Sequence, residues 1–251
     1  MHKRTGFLLK FLIISAALVY LAVCLRYYLE QSDYIYEPDN SSFFDCNTSA
    51  QKIEVNGTRL YFVERSDAAM VVYHGRGGSA CNLLSFDNYA ESLNYSFIAV
   101  EYFGYAPAGK PSQKLIENDV KNAVSFMNSK SLESYRVIGK SLGSAMAAYH
   151  VNLISTDKLI LFSPFDSLAS IGEMQYPYLP IRPLLRDKYD VQELLSKRDG
   201  KTIIIFAQND TLIPPSLSIK LYESLKGEKK LIVVPNATHE TLYYDIYDEL
   251  K

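Results

Sequence analysis

The sequence predicts an α/β architecture: a mostly parallel central sheet opened by an antiparallel N-terminal hairpin, with helices on both faces and a short cap insertion. Three observations predict it. Six short apolar runs, at residues 70–73, 97–100, 136–139, 158–162, 202–207 and 230–234, alternate with longer segments of helical pattern. Residues 52–55 and 59–63 flank Asn56-Gly57, a pair suited to the left-handed positions of a tight hairpin turn. Residues 164–200 carry Pro164, Pro177, Pro180 and Pro183. That stretch is too long for a simple crossover and reads as the cap.

The chain opens with residues 6–25, GFLLKFLIISAALVYLAVCL, in which Lys10 is the sole charge. Twenty residues at helical rise match a bilayer core. His2, Lys3 and Arg4 precede the segment, whereas Arg26 is soon followed by Glu30 and Asp33. The positive-inside bias then predicts a signal anchor over 1–25, with the N-terminus cytoplasmic and the remainder exported. Tyr20, Tyr27 and Tyr28 suit the far interface. A cleaved signal peptide is the alternative, with 11–23 as its apolar core and Ala22-Val-Cys24 as its cleavage site. A lipidated Cys24 and a buried soluble helix are weaker readings, because Val23 is bulky and the segment has no polar face.

Residues 26–50 are polar and read as a stalk with a lead-in strand around Tyr34-Ile-Tyr36-Glu-Pro38. The catalytic-type domain is expected over 51–251, with the cap at about 164–200. Between the strands, residues 81–93, 113–128, 142–153 and 216–225 read as helices. In the second of these, Leu115, Ala123, Val124 and Met127 give the apolar stripe of a helix that covers a sheet. A length of 251 residues is ample for one such core.

Composition excludes several classes. With 26 Lys+Arg against 28 Asp+Glu, no basic footprint points to nucleic acid. A hydrophobic content of 48% argues against a disordered chain. Three Cys without a CxxC pair, and four scattered His, give no zinc pattern, so no metal and no cofactor is expected. In an oxidising space Cys46 and Cys81 have two fates, a disulfide or two buried thiols. Six Asn-x-Ser/Thr sequons occur, at Asn40, Asn47, Asn56, Asn94, Asn209 and Asn236. Two adjoin candidate site residues, which favours a bacterial envelope or periplasm over a eukaryotic lumen.

Gly139-Lys140-Ser141-Leu142-Gly143 follows the run 136–138 and opens a helical stretch. The pentapeptide alone says little; its strand–turn–helix setting sharpens it. Such a turn lifts the Ser141 hydroxyl above the sheet, and the glycines admit close backbone approach. A serine needs a base to take its proton. His239 is the only downstream candidate, since His150 lies within the helix after the turn. His239 also lies in the loop after the run 230–234, where α/β sheets place ligands. Asp210, just past the run 202–207, is the expected acid that orients the imidazole. Asp166 is the serious alternative, while Glu240 and Asp245 are poorly placed. Two backbone N–H groups are needed for an oxyanion. Leu142 is one, and the His74-Gly75-Arg76-Gly77-Gly78 loop offers Arg76, then Gly77. His74 itself reads as loop packing.

Together these residues resemble the α/β-hydrolase superfamily, and the finer pattern is similar to its BEM46/ABHD13/ABHD17-like membrane-anchored serine hydrolases. Tyr34-Ile-Tyr36-Glu-Pro38, the loop from Tyr102-Phe-Gly104-Tyr105 to Pro111-Ser112, Ser163-Pro164-Phe165, and Leu184 to Asp190 carry the resemblance. Phe103 departs from the usual Arg, and Ala106 from the usual Gly. Gln208-Asn209 and Ala237-Thr238 stand where the family often has Gly. The resemblance implies hydrolysis of an ester, thioester or amide without a cofactor.

The expected function is a serine esterase or thioesterase acting through Ser141, His239 and Asp210 on a small-molecule or lipid-like acyl substrate. Cap residues Tyr176, Pro177, Tyr178 and Leu179 have two readings, the lining of an acyl pocket and, more commonly for aromatics there, packing against the sheet; Lys140 meets an anionic group or solvent. The alternatives are an aminopeptidase-like amide hydrolase and a catalytically silent, membrane-tethered binding module.

Overall fold

The computed structural model describes residues 2–38, 43–105 and 109–242. Helix α1 (His2–Ile35) comes first and is followed by the hairpin strands β1 (Gln51–Val55) and β2 (Thr58–Val63). Asn56 and Gly57 both have positive φ, 50° and 83°, as a two-residue turn between right-twisted strands requires. Strand β3 (Ala68–Tyr73) leads to a 3₁₀ helix (Ala80–Phe86) and α2 (Asp87–Ser92), where the sequence predicts one continuous helix. Then come β4 (Ser96–Glu101), α3 (Gln113–Ser129), β5 (Glu133–Lys140), α4 (Gly143–Leu153) and β6 (Lys158–Phe162). The cap contributes α5 (Leu168–Gln175), α6 (Ile181–Leu184) and α7 (Val191–Leu195). Strand β7 (Lys201–Ala207), α8 (Pro215–Ser224) and β8 (Lys229–Val234) complete the described order.

The eight strands form one sheet in the order β1-β2-β4-β3-β5-β6-β7-β8. Strand β2 runs antiparallel to β4, and the pairs from β4 through β8 are parallel. Every residue of β4 is buried, which is why the central runs carry apolar residues on both faces. One face packs under α3, α4 and α8 through residues such as Val71, Val137, Ile204 and Leu221. The other packs under the 3₁₀ helix and α2 through Met70, Ile138, Phe86 and Tyr89.

The N-terminal region departs from expectation. The segment read as the start of a stalk is helical through Ile35, so no strand forms at residues 34–38, and the first strand begins at Gln51. Packing against the cap explains the continuation. Gln31 donates to the Leu184 carbonyl at 3.0 Å and accepts from the Arg186 N–H at 2.8 Å. Tyr36 is buried; its hydroxyl donates to Asp187 at 2.7 Å and lies 2.7 Å from the Tyr189 hydroxyl. These partners satisfy groups that an extended segment would have to pair elsewhere. The sequon at Asn40 and the departure at Ala106 lie outside the described residues.

Cys46 and Cys81 form a disulfide with a Cα–Cα distance of 6.0 Å. It ties the approach to β1 to the start of the 3₁₀ helix, closing a loop with a sequence separation of 35. Loop-closure entropy for that length corresponds to about 3–4 kcal/mol. The double variant Cys46→Ser/Cys81→Ser is therefore expected to melt about 10 °C below the parent, since each kcal/mol moves Tm by about 2–4 °C at this size. Calorimetry with and without reductant checks this, and an unchanged Tm would show that the bridge does not constrain the unfolded chain.

Candidate active site

Parallel strands end on the same edge of a sheet, and here five consecutive ends supply one constellation. His74 follows β3, Ser141 follows β5, Ser163 follows β6, Asp210 lies three residues past β7, and His239 five past β8. The register makes the last two neighbours, because Ala207 of β7 pairs with Val234 of β8.

Ser141 sits between β5 and α4 with φ at 51°, a left-handed conformation that a residue with a side chain adopts at a cost of about 1–3 kcal/mol. Glycines make the turn sterically feasible. A Cβ on Gly143 would collide with the carbonyls of Tyr73 and His74, and one on Gly139 would meet the Gly143 carbonyl and Ser144. The Ser141 N–H donates to the Phe162 carbonyl at 2.8 Å, and its own carbonyl accepts from Ser144 N–H at 2.9 Å. The residue is buried, at the N-terminus of α4, where the helix dipole favours negative charge.

His239 Nδ1 lies 2.8 Å from Asp210 Oδ2. The other carboxylate oxygen, Oδ1, accepts from the N–H groups of Leu212 and Ile213 at 3.0 and 2.8 Å. Burial alone would raise the Asp210 carboxyl. The bonds from His239 and the Ile213 N–H outweigh it and hold the group below the usual carboxylate range. An ionised Asp210 keeps the proton of His239 on Nδ1 and leaves Nε2 as the basic nitrogen.

Asp166 and Glu240 are bonded to other groups. Asp166 is buried, with Oδ2 held by Ser170 Oγ and Lys220 Nζ, both at 2.7 Å, beside a separate small cavity under the cap. Glu240 accepts from the Thr238 hydroxyl at 3.2 Å. Asp245 lies outside the described residues. His150 is fully buried between the Tyr73 and Ser134 hydroxyls, and burial pushes its pKa down to about 3, so it stays neutral.

The loop over Ser141 is set by His74. Its Nδ1 lies 2.9 Å from the Gly75 carbonyl; a carbonyl only accepts, so Nδ1 carries the proton. The Gly75–Arg76 peptide is trans, which turns the Arg76 N–H away from that carbonyl. The Arg76 carbonyl is occupied by the Tyr105 hydroxyl at 2.8 Å and the Glu37 N–H at 3.3 Å. The His74 ring stacks on Tyr102 at 3.8 Å, and its Nε2 faces Glu101 Oε1 at 3.2 Å. Gly75 lies so close that a Cβ there would stand 3.3 Å from the Ser141 Cβ.

Ser141, His239, Lys140 and residues 74–79 line a cavity of about 530 Å³ with an apolar wall of Leu83, Phe86 and Leu212. Cap residues 176–179 do not line it, so of their two readings the acyl-pocket one fails. Tyr176 and Leu179 pack on the core, and Tyr178 is 87% exposed. The wall comes instead from the 3₁₀ helix, because the short helices of the cap lean on α1 and α4. Sequence reasoning missed Glu37, Asn82 and Ser85 as lining residues, and Glu101 as the partner of His74. The signal for Glu101 was a charged residue closing an otherwise apolar run. The others had none.

No family model matches the chain. Among curated proteins, it is 30% identical over 178 residues to Rv2307c of Mycobacterium tuberculosis, described as uncharacterized; the match spans 69% of this chain and only 63% of that protein's length. YfhR of Escherichia coli K12, also described as uncharacterized, is 25% identical over 99% of this chain and 92% of its own. Among solved structures, Est1E from Butyrivibrio proteoclasticus, with ferulic acid bound, superposes with a TM-score of 0.62 at 16% identity, covering 80% of this chain and 94% of its own. An esterase from Exiguobacterium antarcticum gives 0.60 at 17%, covering 80% and 96%. The fold is that of the α/β-hydrolases.

Lys140, beside Ser141, has its pKa lowered to about 8 by burial, partly countered by Glu240. A lysine whose folded pKa lies below its unfolded value weakens folding at neutral pH, and that cost fades as pH rises from about 8 toward 10.5. Lys140→Met is expected to raise Tm by roughly 2–4 °C at pH 7, with the gain shrinking as pH rises through that window. Thermal melts at a series of pH values check this; a gain that grew with pH would contradict the burial argument.

Proposed function

We propose that the chain is a serine hydrolase that cleaves ester or thioester bonds of acyl substrates through a covalent acyl-enzyme. One observation carries this reading: Ser141 and His239 line a single cavity while Asp210 holds Nδ1 of the histidine ring. Ser141 Oγ attacks the carbonyl carbon as its proton passes to His239 Nε2. The N–H groups of Leu142 and Arg76 receive the oxyanion. Collapse of the tetrahedral species expels the alcohol or thiol, which takes the proton from His239. A water molecule then gives its proton to the same nitrogen, attacks the acyl carbon and frees the acid, and Ser141 recovers its hydrogen. Asp210 keeps the imidazolium oriented and charge-compensated throughout.

Ester chemistry is further supported by shared fold, since proteins of this architecture include the Exiguobacterium esterase and a monoacylglycerol lipase from Paleococcus ferrophilus. The motif order adds the BEM46-like branch. An aminopeptidase reading needs an acidic anchor for a substrate amine. Glu37 and Glu240 both line the cavity, but Glu37 pairs with Arg76 at 3.2 Å and Glu240 acts on Lys140.

Helix α1 is long and apolar enough over Gly6–Ile35 to cross a membrane, and we read it as a signal anchor with the N-terminus cytoplasmic. The Cys46–Cys81 bridge supports placing the domain on the oxidising side.

Fluorophosphonate labelling tests the nucleophile: Ser141→Ala is expected to lose labelling and p-nitrophenyl ester hydrolysis together, and a variant that labels like the parent would remove the assignment. Asp210→Asn is expected to lower kcat by about three to four orders of magnitude with little change in KM. A panel of p-nitrophenyl esters of increasing chain length beside aminoacyl amides separates the two hydrolase readings, and faster amide turnover would favour the peptidase.

A further inference from the structure

The cap lies alongside α1 rather than over the cavity, and its tip reaches into the apolar part of that helix. The Tyr20 hydroxyl donates to the Tyr178 carbonyl at 2.9 Å. Further along, the Tyr27 ring meets Tyr176 edge-on at 5.3 Å, and Gln31 bridges Leu184 and Arg186. Tyr20 to Gln31 spans about 16 Å of helix at 1.5 Å per residue. The apolar stretch 6–25 is about 30 Å long, the thickness of a hydrocarbon core. Tyr20 therefore lies about 7 Å inside its C-terminal edge, and the hydrogen bond places Tyr178 at the same depth.

The tip has the composition for such a place. Residues 174–181, Met-Gln-Tyr-Pro-Tyr-Leu-Pro-Ile, contain no charge. Glu173 and Arg182, on either side, pair with each other at 2.8 Å and close the base of the segment. Tyr178 is 87% exposed and Met174 51%, although both are large and mostly apolar. The Arg186 guanidinium lies 5.3 Å from the Tyr28 ring, and Arg26 is close by on α1. Aromatic rings and cations grouped at one level are the usual membrane–water boundary pattern.

Several backbone groups of the tip are paired or absent, which suits low dielectric, where an unpaired polar group costs several kcal/mol. Pro177 and Pro180 have no N–H to satisfy. The Tyr176 and Leu179 N–H groups donate to the Gly172 and Tyr176 carbonyls at 2.8 and 3.0 Å. The Leu179 carbonyl accepts from Ile181 N–H at 2.9 Å, and that of Tyr178 is taken by Tyr20.

We propose that the uncharged cap tip, residues 174–181, is a second membrane contact, seated at the headgroup–acyl boundary of the bilayer that α1 crosses. The proposal rests on reading α1 as a span. It fixes the domain against the membrane at two points, α1 and the tip, and so sets one orientation of the catalytic cavity relative to the lipid surface.

The chain contains no tryptophan, so a single substitution gives a clean reporter. Full-length Tyr178→Trp, Ile14→Trp and Val233→Trp are reconstituted in phosphatidylcholine–phosphatidylglycerol vesicles, with and without phosphatidylcholine brominated near the glycerol end of its chains. Ile14→Trp reports the span, and Val233→Trp, on the outer strand β8, reports water. Tyr178→Trp is expected to emit to the blue of Val233→Trp and to be quenched by the bromolipid at least half as strongly as Ile14→Trp. Because Tyr178 is largely exposed, its melting curve should match the parent's. If Ile14→Trp is quenched and Tyr178→Trp behaves like Val233→Trp, the tip is in water; the anchor is overturned and the span survives. A blue-shifted Tyr178→Trp that ignores bromine overturns the proposal too, since the tip is then covered by protein such as a second copy of this chain. An Ile14→Trp that is not quenched removes the span itself, and the tip contact with it.

Discussion

The first turn of α4 passes directly beneath the carbonyl ends of β3, and nothing larger than a hydrogen fits at Gly143. Gly139 faces the same crowding from the other side. These contacts oblige the chain to pass from strand to helix at Ser141, in a left-handed conformation that the surrounding hydrogen bonds enforce. The closeness that strains Ser141 also brings Gly75 against its Cβ and sets the following loop over the hydroxyl. Ser141, the Gly75–Arg76 loop and a helix N-terminus therefore converge from one packing constraint.

Two carboxylates are buried around this point, each with backbone N–H support. Asp210 is held by two backbone N–H groups and the His239 ring, so its negative charge survives burial. Glu101 is buried against the His74 ring and the Ala80 N–H. In the first case the answered charge fixes the tautomer of an imidazole. In the second, the carboxylate is held by the Ala80 N–H and lies against the ring that steers the Gly75–Arg76 peptide. Both are preorganised before any substrate arrives, which is the condition under which dipoles stabilise a developing oxyanion most effectively.

The N-terminal helix is not merely attached to this arrangement. Its last turns are stitched to the cap through Gln31 and Tyr36. Its C-terminal end also reaches the 74–78 loop, where the Arg76 guanidinium donates to the Tyr34 carbonyl at 3.4 Å and the Glu37 N–H donates to the Arg76 carbonyl. The apolar helix and the cavity are thus joined by direct hydrogen bonds as well as by the chain between them.

Much of this was legible in the chain itself. The six apolar runs, the Asn56-Gly57 hairpin and the Gly-x-Ser-x-Gly turn report local physics, namely burial on two faces, positive φ and a missing Cβ, and such signals need no knowledge of distant residues. The candidate residues were readable as types in order. Their pairing was not. Asp166 and Asp210 both follow strand ends, and only the β7–β8 register sets Asp210 beside His239 while Lys220 and Ser170 occupy Asp166. The cap misled for a related reason: its Pro and Tyr content announced an insertion without saying what it leans on, and it leans on α1. Hydrophobic pattern and backbone sterics act within a few residues, so sequence alone determined the elements, the sharp turn and the apolar helix. Which charges meet, which wall closes the cavity and where the cap rests are contacts across 28 to 158 residues of chain, and only the folded packing decides them.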